Sequence, residues 1–177
     1  MLLAREYFLK KDYEKAYSEY LECLNLPEIR LPHRKLVLLE TIGKLGDLCA
    51  LEKDYDKAIE YYNLFIQEDK TYREPYFCIG EIYNQRGMYA MAKAIVELGI
   101  KESYQHFDWV ERKDNWLYKA YDILSVSEYY LGDLDKAVAY GSVSARHNPN
   151  DLRILKNYIV FLEDKLKTFE PKKEEDE

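Results

Sequence analysis

Tyr55-Asp56-Lys57-Ala58 and Tyr89-Ala90-Met91-Ala92 fall into register when the chain is shifted by 34 residues, and the same shift lays Gly46 on Gly80. A fixed period of this length is the signature of stacked helical hairpins, each too small to bury its apolar face alone. Working outward, residues 39–72 put Ile42, Leu45, Tyr55 and Tyr62 at large positions and Gly46 and Ala58 at small ones. Residues 73–106 repeat this with Tyr76, Ile79, Tyr83, Tyr89 and Val96 against Gly80, Ala92 and Gly99. The small residues let two helices of a hairpin approach closely while the large ones interlock with the next hairpin. A third unit, 118–151, carries Tyr121, Leu124, Ser125, Leu134, Ala137, Ser144 and Pro149, but has Glu128 and Gly141 where large apolar residues are expected.

These positions resemble the tetratricopeptide repeat, which favours bulky residues at positions 4, 7, 11, 17 and 24 of its 34 and small ones at 8, 20 and 27. The resemblance implies an all-α, right-handed superhelix. Tyr7, Lys11-Asp12-Tyr13, Ala16, Tyr20 and Cys23 match positions 11 to 27 of an earlier unit within residues 1–30, truncated in its first helix. About four hairpins are therefore expected, followed by a solvating C-terminal cap over 151–167, where Asn150-Asp151 offers an N-cap. Residues 168–177 are expected to be a disordered acidic tail. Gly87, Gly132 and, less well, Lys53-Asp54 end the first helices, and Thr71 to Glu74 reads as a capping box ahead of Pro75. Two insertions break the period. One places Pro27 to Pro32 in a connecting loop, and the other, Tyr104 to Asn115, precedes Trp116.

Composition narrows the function. The 177 residues carry a net charge of −7, which repels nucleic-acid phosphates. No apolar run approaches a membrane span, and the charged start Met1 to Glu6 lacks the unbroken apolar stretch of a signal peptide, so a cytoplasmic protein without membrane insertion is expected. Cys23, Cys49 and Cys78 lack metal-ligand spacing and read as buried thiols. His33, His106 and His147 are isolated, and no phosphate-cradling glycine run or nucleophile motif is present, so catalytic residues, metal and cofactors are expected to be none.

In the resembled architecture, positions 2, 5, 9, 12 and 13 of each first helix face a concave groove. Here they are Glu40 and Asp47, then Glu74, Phe77, Glu81, Asn84 and Gln85, then Lys119, Asp122, Tyr129 and Tyr130. This acidic surface with aromatic footing suits an extended basic or neutral peptide. Chaperone-binding relatives instead place Lys, Asn and Arg where this chain has Gly43, Asp47, Glu74 and Cys78, which disfavours a carboxylate-ended partner. Phe107, Trp109 and Trp116 concentrate aromatic surface in the second insertion, as contacts to the groove or to a partner.

Arg73-Glu74-Pro75-Tyr76, Trp116 with Tyr121 to Leu124, Tyr130 to Asp133, and Asn148 to Arg153 together resemble the repeat tail of bacterial family 2 glycosyltransferases. That resemblance implies a C-terminal portion of a glycosyltransferase whose catalytic domain lies upstream, in keeping with Met1 falling at position 5 of its unit. The expected function is a non-catalytic module for protein–protein interaction or self-association. The alternatives are a free-standing peptide-binding adaptor and a direct acceptor-binding part of such an enzyme.

Overall fold

The computed structural model describes residues 1–104, 106, 108, 110 and 118–169. Among these residues the chain is helical without strands. α1 (Leu2–Leu9) and α2 (Tyr13–Asn25) form the first hairpin, α3 (Lys35–Leu51) and α4 (Tyr55–Glu68) the second, and α5 (Glu74–Gln85) and α6 (Tyr89–Glu102) the third. α7 (Lys119–Tyr130) and α8 (Leu134–His147) form the fourth, and α9 (Leu152–Lys167) closes the stack. Each helix packs on its successor, and first helices also meet across hairpins, as α5 does with α7. The result is a four-hairpin αα-solenoid with a terminal helix.

Close approach within hairpins is set by the small residues. A Cβ on Gly46 would lie 2.6 Å from the Tyr62 ring, one on Gly80 2.6 Å from Val96, and one on Gly99 2.6 Å from Tyr76 Cβ. Ala16, Ala58, Ala92 and Ala137, equivalent in the four hairpins, are all fully buried. Gly141 belongs to the same logic: the large residue missing there makes room for Tyr158 and Phe161 of α9. Glu128 is buried and satisfied by Lys93 of α6 at 2.8 Å.

The turn between the helices is the same in all four hairpins. Lys11, Lys53, Gly87 and Gly132 occupy the equivalent position, and all four have positive φ, at 60°, 63°, 71° and 89°. The next residue is Asp12, Asp54 or Asp133 in three hairpins, and each carboxylate accepts the backbone N–H three residues on, capping the second helix. Met88 occupies this place in the third hairpin and leaves α6 without a side-chain cap. Asp151 caps α9 through the N–H groups of Arg153 and Ile154.

Three local expectations are corrected. Thr71 does not form a capping box, because its hydroxyl is spent on Asp69 and His106; α5 starts from Arg73 without a side-chain cap, with Pro75 in its first turn. The first insertion is not a plain loop. It forms two 3₁₀ turns, Pro27–Arg30 and Pro32–Arg34, and buries Ile29 with Leu38, Leu39 and Phe65. α3 begins at Lys35, ahead of the repeat boundary at 39.

Tyrosine serves as wedge and latch together: rings fill the core while hydroxyls tie elements. Tyr17 and Tyr61 hydroxyls meet at 3.0 Å between α2 and α4, and Tyr76 donates to the Lys70 carbonyl at 3.1 Å.

The turn comparison yields a prediction. Lys53→Gly relieves a left-handed Lys and is expected to add about 0.5–1 kcal/mol of stability, and Met88→Asp, supplying the missing cap, about 1 kcal/mol. Urea unfolding with unchanged slope checks both, and the same gain from Met88→Ala would rule out capping as the cause.

Candidate functional site

The first helices carry most of the groove residues, and the structure shows that most of their charges answer one another across hairpins. Arg5 of α1 donates two hydrogen bonds to Glu40 of α3, one from Nε at 2.6 Å. Lys119 of α7 meets Glu81 of α5 at 2.5 Å. In repeat numbering these are the same link, position 9 of one hairpin to position 2 of the next, with the signs reversed. Arg153, at position 2 beyond the fourth hairpin, reaches position 5 instead and holds Asp122 through two bonds of 3.2 and 2.6 Å. Burial works against the Lys119 charge, yet attraction to Glu81 outweighs it and holds its pKa above the ordinary lysine value. The hydrogen bonds that Arg153 donates to Asp122 likewise raise its pKa.

At the junction between the second and third hairpins the two positions are Asp47 and Glu74, both acidic. Their carboxylates and the Cys78 thiol lie within 4.8 Å of one another, gathered from α3 and α5. Asp47 accepts from Lys44 Nζ at 2.8 Å and from the Tyr62 hydroxyl at 3.0 Å, and Glu74 is buried. Burial, and then the neighbouring Glu74 and Asp47, push the Cys78 thiol well above its ordinary pKa. It stays protonated, poor both as a nucleophile and as a metal-binding thiolate.

Two clefts flank this junction. One of about 100 Å³ is lined by Glu40, Gly43, Lys44, Asp47, Glu74 and Val110. The other, about 320 Å³, is lined by Phe8, Asp47, Leu51, Cys78, Glu81 and Gln85 among others. Lys44 also lies over the Phe8 ring at 4.9 Å, joining α1 to α3.

The acidic groove read from sequence is therefore revised. Four cations, Arg5, Lys44, Lys119 and Arg153, sit among five anions, Glu40, Asp47, Glu74, Glu81 and Asp122. Among the described residues these side chains balance to −1, and two of the anions are concentrated at one junction. Phe77 does not line the groove: it is fully buried with Tyr76, Val96, Ile123 and Leu124, because α7 packs against α5 there. Asp122 is buried under Arg153. Asn84 is a strut, donating to the Ile123 carbonyl at 2.9 Å and accepting from Ser127 at 2.8 Å. Tyr129 donates to Asp164 of α9 at 2.5 Å, and Tyr130 stacks on Tyr89 at 4.2 Å. Gln85 is exposed.

Phe107, Trp109 and Trp116 lie outside the described residues. The neighbouring described residues of the second insertion fold back on the second hairpin. His106 is stacked between Tyr72, at 3.7 Å, and Tyr104, at 4.6 Å, and its Nε2 is 2.9 Å from the Thr71 hydroxyl. Tyr72 donates to Asp108 at 2.5 Å, and Val110 joins the core formed by Leu38, Leu39, Ile42 and Phe65. His106 is thus a structural tie, a role its isolation in sequence hid.

The tetratricopeptide-repeat family model matches residues 1–29 and 39–72. No curated protein matches the chain. Among solved structures, two crystal structures of MamA are 21% identical with TM-scores of 0.68, covering 93% of this chain and 85% and 80% of theirs. The first repeat domain of RPAP3, bound to the HSP90 peptide SRMEEVD, is 16% identical with a TM-score of 0.60, over 76% of this chain and 94% of that one. The chain thus has the fold of the tetratricopeptide superhelix. No described helix is long and apolar enough to cross a membrane.

The cross-hairpin links predict that Arg153→Met, which strands the buried Asp122 carboxylate, costs about 2–3 kcal/mol, at the low end for a buried pair because Arg153 is itself partly exposed. Adding Asp122→Asn should recover most of the loss in urea unfolding. Additive losses would show that the two side chains are not coupled.

Proposed function

We propose that the chain is a non-catalytic interaction module that receives a basic peptide segment in the concave groove, at the junction of the second and third hairpins. The observation that carries this reading is the meeting of Asp47 and Glu74 where two other junctions pair opposite charges. A Lys or Arg side chain entering there would add a cation beside two carboxylates that are each already engaged within the protein, in a partly desolvated cleft where Phe8 and Leu51 offer apolar surface. Val110 borders the same site, so a ligand enters alongside the second insertion.

RPAP3's repeat domain is recorded with a peptide ending in Glu-Glu-Val-Asp. A peptide with that ending would bring like charge to Asp47 and Glu74, so the two grooves call for opposite partners. The link to a glycosyltransferase rests on sequence resemblance alone. Its motifs at 73–76 and 148–153 coincide with helix starts that the fold itself uses, and a peptide-binding module needs no such parent.

Fluorescence anisotropy with labelled peptides of about ten residues tests the reading. A peptide with two Lys or Arg should bind about tenfold more tightly than its Glu counterpart, and Asp47→Asn with Glu74→Gln should remove that preference. Equal affinity for both peptides, or a preference untouched by the double substitution, contradicts it.

A further inference from the structure

The solvating face expected of the terminal helix is apolar instead. α9 buries Ile154 and Phe161 and lays Tyr158 against Gly141. At 100° per residue, Leu152, Leu155, Ile159, Leu162, Leu166 and, just past the helix, Phe169 form a separate stripe beside that buried face. Leu152 is 69% exposed, Ile159 52%, Leu166 63% and Phe169 73%. Alternate steps of three and four residues are the spacing of a two-helix seam. Residues 170–177 of the sequence are Pro171 and seven charged residues, unsuited to covering it.

We propose that this stripe joins a second copy of the chain as an antiparallel pair of α9 helices. The stripe is palindromic. With a two-fold axis between Val160 and Phe161, Leu152 faces the partner's Phe169, Leu155 the partner's Leu166, and Ile159 the partner's Leu162. The flanking charges are complementary across the same axis, since Lys156 comes within two residues, about 3 Å along the helix, of the level of the partner's Glu163, and Glu163 likewise of the partner's Lys156. Both residues are exposed and neither forms an ion pair among the described residues. A parallel pair would bring together two tails of net charge −3, whereas the antiparallel pair separates them by roughly the 24 Å length of the helix. The contact uses the same patch on both copies, so it closes as a dimer and leaves the groove independent of it.

Sedimentation equilibrium between about 1 and 100 µM tests this. The expected mass is about 42 kDa, twice the 21.2 kDa chain. Ile159→Asp with Leu166→Asp should give 21 kDa throughout, with an unchanged circular-dichroism melt. Lys156→Glu alone should weaken the dimer about tenfold, and adding Glu163→Lys should restore it, a readout that does not depend on the apolar variant folding. A chain monomeric at every concentration overturns the proposal, as does a charge swap without rescue. So does open-ended growth abolished by Leu9→Asp rather than by Ile159→Asp, which would mean head-to-tail stacking onto α1.

Discussion

Within each hairpin the two helices come so close that one position of the first has no room for a large side chain. Gly46 and Gly80 are pressed against Tyr62 and Val96, and the fully buried Ala16, Ala58, Ala92 and Ala137 answer from the second helices. A larger residue at Ala58 or Ala92 would overpack this contact at a cost of about 1–3 kcal/mol. The repeated approach, closed by the same left-handed turn each time, gives every hairpin a similar shape. Hairpins of similar shape stack in register, and register brings position 9 of one first helix opposite position 2 of the next.

That juxtaposition turns a packing rule into an electrostatic pattern. Arg5 with Glu40 and Glu81 with Lys119 use it to tie hairpins together, and their charges are largely spent on holding the stack. Asp47 and Glu74 occupy the equivalent places with equal sign. Cys78 between them is held as a neutral thiol, so the junction concentrates negative charge without offering a nucleophile. In the proposed reading, structure and binding use the same positions, and the signs of the side chains separate the two roles.

The hairpins and their turns were legible in the sequence because they depend on contacts within one period: a small residue at a fixed place, and a Gly or an Asp in the turn. Lys11 and Lys53 show the limit of that reading, since each adopts the left-handed turn without a glycine to announce it. The groove was less legible because its contacts cross hairpins. Nothing local to Glu40 points to Arg5, 35 residues away, or to Asp122 that Arg153 covers it. Phe77 sits at a groove position and is buried by the approach of α7. His106 acquires its place only when the insertion folds back onto Tyr72. The outward apolar stripe of α9 departs from the solvating cap expected over 151–167, because periodicity identifies an apolar face without saying what it meets.

Chemical-shift mapping of the ¹⁵N-labelled chain during titration with a Lys- or Arg-containing peptide tests the assignment of the groove most directly. The account predicts perturbations centred on residues 43–51 and 74–81, with little change along α9. Perturbations centred on the convex second helices, or spread evenly over the acidic surface, would contradict it.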